Sequence, residues 1–402
     1  MLDFLWAALC ICGAVYFIFR GHPGATGYPR AERRALVRAV ILSIRLPPAD
    51  TMTQPFRLTA VLLAMLVLPL PVMAQWEAQA SGTTNELRGL SVVSPLVAWA
   101  SGQRGTVIHT TDGGATWIRD TVPGATTLDL RAIAGISGTV AHAISIGDSS
   151  RIYRTTDGGK SWSLRFEATR KGTFFDAIRF WDAQHGIAVS DPVNGQFVLV
   201  ITNDGGDTWK ELPGDAIPPA LPGDGSFAAS GSCLEVNGKS DVWFVTGGGA
   251  IARVFHSADR GKTWTVSASP IRAGVASAGI FSIAFRDAMH GVIAGGDYTK
   301  PTLGGRNVAL TSDGGKTWSL VDSTSAPNGF RSAVAFAPWG AGQNLVAVGL
   351  NGTDVSTDGG VTWKSIDTTA YNSVQFASPQ GGFAVGPRGR VAKYVTRFTL
   401  RP

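Results

Sequence analysis

Six times along this chain the same eight-residue phrase returns, Thr/Ser-x-Asp-x-Gly-x-Thr/Ser-Trp. It reads TTDGGATW from Thr110 to Trp117, TTDGGKSW from Thr155 to Trp162 and TNDGGDTW from Thr202 to Trp209. It continues as SADRGKTW, TSDGGKTW and STDGGVTW, ending at Trp264, Trp318 and Trp363. The Trp-to-Trp spacings are 45, 47, 55, 54 and 45 residues. A fixed period in this range marks a repeat architecture, so the spacing constrains the fold before any chemistry is considered.

Each unit holds short β-branched and apolar runs separated by Gly, Pro and Asp turns. The first shows four, at 87–93, 96–101, 106–110 and 116–120, which is the pattern of four short strands. Four-stranded units repeated radially are the blades of a β-propeller. Six boxes end six blades, and after the sixth come only three strands, at 371–376, 382–385 and 390–394. Upstream, Gln75-Trp76-Glu77-Ala78 matches the fourth-strand pattern, with Trp76 in the place of the box Trp. An all-β, seven-bladed propeller of antiparallel blades is therefore expected, its ring closed by the N-terminal strand in the C-terminal blade. Closure removes the sheet edges that an open array would expose.

The net charge of +6 is unevenly placed. Residues 1–74 carry seven Arg against three acids, and the remainder is nearly balanced. No basic stripe runs through the repeats, which excludes a nucleic-acid binder. Only Cys233 lies in the repeats, so packing and not disulfides must hold them. The segment 52–74 has Arg57, an apolar run from Leu58 to Val72, and small residues before Ala74-Gln75. That is a secretory signal peptide with cleavage after Ala74, and it places the propeller (75–402) in the periplasm or outside the cell. Residues 1–51 then form an upstream extension with its own apolar run, 4–19. The rival reading keeps both runs as membrane segments; the Arg-rich loop between them would face the cytoplasm, which still exports the repeats.

Within the boxes, Asp112, Asp157, Asp204, Asp259, Asp313 and Asp358 sit where a carboxylate accepts turn amides, and the glycines permit positive φ. Trp117, Trp162, Trp209, Trp264, Trp318 and Trp363 supply apolar surface to pack under each turn. One Asp per box does not provide the six to eight oxygens calcium takes, so the boxes are structural and no metal is expected. Arg260 replaces the first box Gly in the fourth repeat, and a distorted turn is expected there.

These boxes resemble the Asp-box, or bacterial neuraminidase repeat, of sialidases and other propellers. The fuller unit, with Trp181-Asp182-Ala-Gln-His185-Gly186 and Arg286-Asp287-Ala-Met-His290-Gly291 turns, resembles the photosystem II stability/assembly factor-like family of exported seven-bladed propellers. That resemblance implies a scaffold for extracytoplasmic complexes. The sialidase comparison implies an Arg-Ile/Leu-Pro motif and a Tyr–Glu pair; the sole Arg-Leu-Pro, at 45–47, precedes the propeller.

The departures from the period fall in loops on the face opposite the boxes, within blades three to five. Clustered insertions on one face of a repeat protein mark a binding face. Candidate rim residues are Asp191, Asn194, Asp224, Arg272, Asp297, Tyr298, Lys300 and Arg306. A second set at the channel mouth comprises Arg88, Arg131, Asp176, Ser232, Arg331 and Asn372. The expectation is a monomeric, non-catalytic scaffold without cofactor, binding a protein or glycan partner on the loop face. Membrane contact would come only through an uncleaved N-terminal segment. The alternative is a glycoside hydrolase built on two rim or channel carboxylates; oxidoreductase chemistry is less favoured, because no dinucleotide fingerprint is present. Edman sequencing of the exported protein should read from Gln75; a mature chain retaining earlier residues overturns the signal-peptide assignment.

Overall fold

The structure, a computed structural model, describes residues 72–147, 150–379 and 381–398. Both sequence segments assigned above to residues 1–71, the upstream extension and most of the signal peptide, lie outside the described residues. Within them, 28 strands form seven four-stranded antiparallel sheets. The blades span 87–121, 132–167, 175–211, 234–268, 278–320 and 333–367. The seventh combines 373–398 with Val72–Gln79. This is the seven-bladed ring expected from the repeat.

The closing strand pairs residue for residue with the last strand, from Val72 opposite Phe398 to Gln79 opposite Val391. It begins three residues before the expected cleavage point, and its Trp76–Gln79 half pairs independently of that point. Trp76 performs the box Trp's role: its ring packs 5.4 Å from Tyr371 and edge-on 5.2 Å from Tyr394. Its indole N–H donates to Thr353 Oγ1 of blade six at 3.0 Å. One side chain thus joins the closing strand to both the last and the preceding blade.

The boxes repeat one set of bonds. In the first, Thr110 Oγ1 donates to Asp112 Oδ1 at 2.8 Å and accepts from the Gly114 amide at 2.9 Å. The Thr116 amide and hydroxyl donate to the two Asp112 oxygens at 2.9 and 2.6 Å. The same four bonds recur around Asp157, Asp204, Asp259, Asp313 and Asp358. The fourth box is not distorted: Arg260 takes the left-handed φ of +61° that glycine takes elsewhere. Its strain is offset by a bond from Nε to the Lys239 carbonyl at 2.7 Å and by stacking near Trp181.

Box tryptophans pack at the seams between blades. Trp117 meets Phe383 of blade seven edge-on at 5.5 Å, and Trp162 meets Trp99 of blade one at 6.1 Å. Second-strand side chains latch forward. Trp99 donates to the Ser137 carbonyl and Trp243 to the Gly314 carbonyl, both at 2.9 Å. His142, fully buried, reaches the Gly205 carbonyl at 3.1 Å, and burial pushes its pKa down to about 3. It is a neutral latch and not a metal ligand.

Two predictions follow from this packing. Trp76→Ala should lower unfolding stability by on the order of 3 kcal/mol in urea titration, because a large side chain is lost at two seams; a change within error would show that the ring closes without it. The second concerns acid. Hydroxyl and amide donors hold Asp112, Asp157, Asp204 and Asp313 at about 2, and in Asp259 they outweigh the opposing effect of burial. Folded values below the unfolded value of about 3.9 mean that the stabilisation is complete above that pH and lost as pH falls through 2. The thermal midpoint should therefore fall between pH 4 and 2, and Asp→Asn changes in several boxes should flatten that limb in calorimetry.

Candidate functional site

Each blade's box turn bonds to the turn between its own first and second strands, as in Gly113 N–H to Leu96 O and Gly205 N–H to Gln184 O, both at 2.9 Å. These turns make one face of the ring. The second-to-third-strand loops and the blade-to-blade connections make the other, which carries the insertions.

The insertion after blade three, residues 213–232, does not stand out as a rim. Its second half crosses the loop-side mouth of the central channel and fills it. Arg88 Nη1 donates to Ala229 O at 3.3 Å and Arg131 Nη1 to Ala228 O at 3.5 Å. Ser230 donates to Ser332 O at 2.9 Å, and Ser373 donates to Ser230 O at 3.2 Å. Ser232 Oγ donates to Ser282 Oγ at 2.8 Å. The plug is therefore tied to blades one, two, five, six and seven.

Five of the six channel candidates are accordingly committed to internal partners, Ser232 among them through Ser282. Arg88 pairs with Glu86 and Arg131 with Asp129, both at 2.9 Å. Arg331, almost wholly buried, pairs with Asp354, and Asn372 donates to Glu86 Oε1 and Leu87 O at 2.9 Å. Asp176 is fully buried beneath the plug; burial first and then the Asp191 charge hold its carboxyl well above the usual range. Asp191 accepts the Ser226 amide at 2.8 Å, and burial raises it to about 6. Raised carboxyls act oppositely to the box aspartates: Asp191 favours the fold more as pH falls from 6 toward 4, and Asp176 acts in the same direction.

The rim candidates divide in two. Asp297 accepts the Thr299 amide and hydroxyl at 3.0 and 2.6 Å, closing its own turn. Asp224 is buried against Arg253. Arg272 donates to Gly304 O and Gly305 O at 3.2 Å, while Arg306 donates to Pro270 O at 2.9 Å, so these arginines cross-tie the two insertions. Asn194 sits at a hairpin tip with φ +52°. Tyr298 and Lys300 face solvent, Tyr298 at 47% exposure, beside the stacked Phe227–Phe281 pair at 3.8 Å. No group of three His, Cys, Asp or Glu is placed to hold a metal among the described residues.

An open concavity on the loop face lies elsewhere, at the seam of blades seven and one. It encloses about 910 Å³ and is lined by residues 78–85, Arg104, Arg119, Thr126 and 387–391. Arg104, Arg119 and Arg388 are exposed, while Arg390 donates to Ala370 O and lies 5.7 Å from the Tyr371 ring. No acid lines the cleft, and none of the four arginines forms an ion pair among the described residues. Arg104 and Arg388 hold the same strained turn in adjacent blades, φ +56° and +59°, each before a left-handed glycine. Backbone strain of this kind clusters at functional positions. Sequence reading missed this site because its walls come from opposite ends of the chain.

Fold and repeat define the molecule as a seven-bladed propeller whose blades are clasped by Asp-centred turns. The family model for photosynthesis system II assembly factor YCF48 matches residues 68–171 and 125–268, half of the chain, and the chain belongs to that family. A comparison with curated proteins finds no match. Among solved structures, "YCF48 bound to D1 peptide" is similar with a TM-score of 0.58 and 19% identity, covering 82% of this chain and 99% of that one. YCF48 from Cyanidioschyzon merolae gives 0.57 and 20%, covering 79% and 98%. A GH74 xyloglucanase from Xanthomonas campestris gives 0.55 and 14%, covering 79% of this chain and 53% of that one. At such identities the likeness is one of fold.

Proposed function

We propose that this chain is an exported, non-catalytic assembly scaffold whose loop face holds a protein segment in the cleft between blades seven and one. The observation that carries this reading is the convergence of Arg104, Arg119, Arg388 and Arg390 on one open cleft without an acid in its lining. Guanidinium groups take carboxylates bidentately, so an acidic or carboxylate-terminated segment is the chemistry that fits. Family membership supports a scaffold, and one similar structure is described as bound to a D1 peptide. The location outside the cytoplasm rests on the signal-like segment 52–74 alone.

The hydrolase alternative is less well supported. Of its two possible carboxylate pairs, Asp176 with Asp191 lies at the plug, with Asp176 enclosed and Asp191 bonded to the plug backbone, and Asp191 with Asp297 joins that same plug-bound carboxylate to one that closes its own turn. A glycan would have to displace residues 226–232 to reach the first pair.

Fluorescence anisotropy with a labelled D1 peptide tests the proposal. At low salt the double variant Arg104→Ala, Arg388→Ala should bind at least about tenfold more weakly, the scale of losing charge-assisted bonds, with no loss of thermal stability. Tyr298→Ala with Lys300→Ala should bind as the parent does. The reverse pattern would move the surface to blades four and five, and hydrolysis of any member of a glycan panel would overturn the non-catalytic reading.

A further inference from the structure

The channel is plugged at the loop face but not at the box face. There a separate cavity of about 430 Å³ opens, lined in part by Ser91, Ala134, Arg179, Glu235 and Gln375. These residues are not a chance collection. In the strand registers, Ser91 lies opposite Trp99, Ala134 opposite His142, Arg179 opposite Ile187, Glu235 opposite Trp243 and Gln375 opposite Phe383. Each is one position of the innermost strand, met once per blade. Blades five and six place Ala284 and Ala335 there. Small side chains at three of seven positions leave the room, and polar ones at the other four supply the chemistry.

The polar groups are built to face forward, blade to blade. Gln375 Oε1 accepts the Val92 amide of blade one at 2.7 Å, and Ser91 Oγ accepts the Gly135 amide of blade two at 2.9 Å. Those acceptor contacts fix both side chains and leave the Gln375 amide N–H and the Ser91 hydroxyl proton without an acceptor among the described residues. Arg179 Nη1 donates to Ile178 O at 3.1 Å, but its Nε is buried and donates to nothing. Glu235 of blade four stands 3.9 Å from that Nε, an ion pair beyond hydrogen-bond reach. A buried guanidinium edge left unbonded is costly, and an anion in the cavity would satisfy it.

We propose that this box-side cavity is a binding site for a small organic monocarboxylate, held by the Arg179 guanidinium with Ser91 and Gln375 as flanking donors. Charge counting selects the class. Arg179 and Glu235 balance in the empty cavity, so an added monoanion requires one proton, which Glu235 takes from solvent and can then donate to the ligand. Burial has already moved the Glu235 carboxyl up to about 7, Arg179 opposing it, so this protonation is inexpensive near neutrality. A phosphate dianion would leave an uncompensated charge. The other titratable lining group, Asp182, is held anionic by backbone amides and by His185, with Arg260 at 3.5 Å, and does not share the proton. The cavity lies on the face opposite the arginine cleft, and the two sites stand or fall separately.

Titration calorimetry of the full chain with acetate, glycolate and benzoate, and with inorganic phosphate for comparison, tests this. Saturable one-to-one binding of at least one carboxylate is expected, with proton uptake revealed by buffers of different ionisation enthalpy. Its affinity should fall about tenfold from pH 6 to pH 8, the change in protonated fraction of a group near 7. Arg179→Gln should abolish binding, Arg388→Ala should leave it intact, and Glu235→Gln should retain binding at pH 8 with neither pH dependence nor proton uptake. No saturable carboxylate binding, tighter binding of phosphate, or a pH dependence that survives Glu235→Gln would overturn the proposal. The Glu235→Gln result decides it even should Arg179→Gln fail to fold.

Discussion

The structure depends on one antiparallel ladder, that between Val72–Gln79 and the last strand. Six blades made from consecutive chain are each complete in themselves, but the seventh needs a strand from the other terminus. Without it, the last sheet would expose an unpaired edge, and the contact of blades one and seven would rest on apolar packing and a few bonds such as those of Gln375 to Val92 and of Asn372 to Leu87, with no ladder behind it. Joining the ends has a second consequence. The chain leaving this strand, residues 80–85, forms one wall of the arginine cleft, and 387–391 forms the facing wall. Ring closure and the loop-face cleft are therefore one event, and a chain that failed to dock its N-terminal strand would have no cleft.

The boxes serve the same end by different means. A short Asp-centred turn with two or three internal donors is stable without neighbours, so each outer hairpin is preorganised. What the turn presents to its neighbour is its Trp and its carbonyl groups. Trp243 and His142 reach forward to box carbonyls, while Trp117 and Trp162 reach back to the preceding blade. Blades are thus held by directional latches laid over apolar contact, which sets their order and angle more sharply than burial alone. Arg260 shows how strongly the turn is specified: an arginine adopts the glycine conformation sooner than the four bonds around Asp259 are given up.

The number of blades, the closing strand and the role of the box residues could be read from the sequence, because each is encoded by spacing and local turn chemistry; Arg260 is the exception, since spacing does not reveal that an arginine there can take the glycine conformation. The site could not be read so well. Residues 213–232 register as an insertion whether they project outward or fold inward, and only tertiary contacts put Ala228 and Ala229 under Arg131 and Arg88. Charges such as Asp297, Asp224 and Arg331 look available in a sequence, yet each finds its partner through chain geometry. The arginine cleft was hidden because Arg104 and Arg388 lie almost 300 residues apart. Arg179 and Glu235 escape notice for a subtler reason: they lie three residues further along the innermost strand than the channel-mouth residues Asp176 and Ser232.

The two ends of the channel behave differently for a reason rooted in connectivity. On the loop face, the blade-to-blade connections converge, so a long insertion such as 213–232 can turn into the mouth and be bonded from five blades. On the box face, the turns between first and second strands are short and already bonded to the boxes, and nothing is long enough to reach the axis. An axial space at that end therefore persists unless the inner-strand side chains fill it, and alanine at three of seven positions does not. A propeller so built offers a broad surface for a macromolecule at one end and only a small polar chamber at the other. The size of ligand each end can take is set by loop length before any side chain chooses its chemistry.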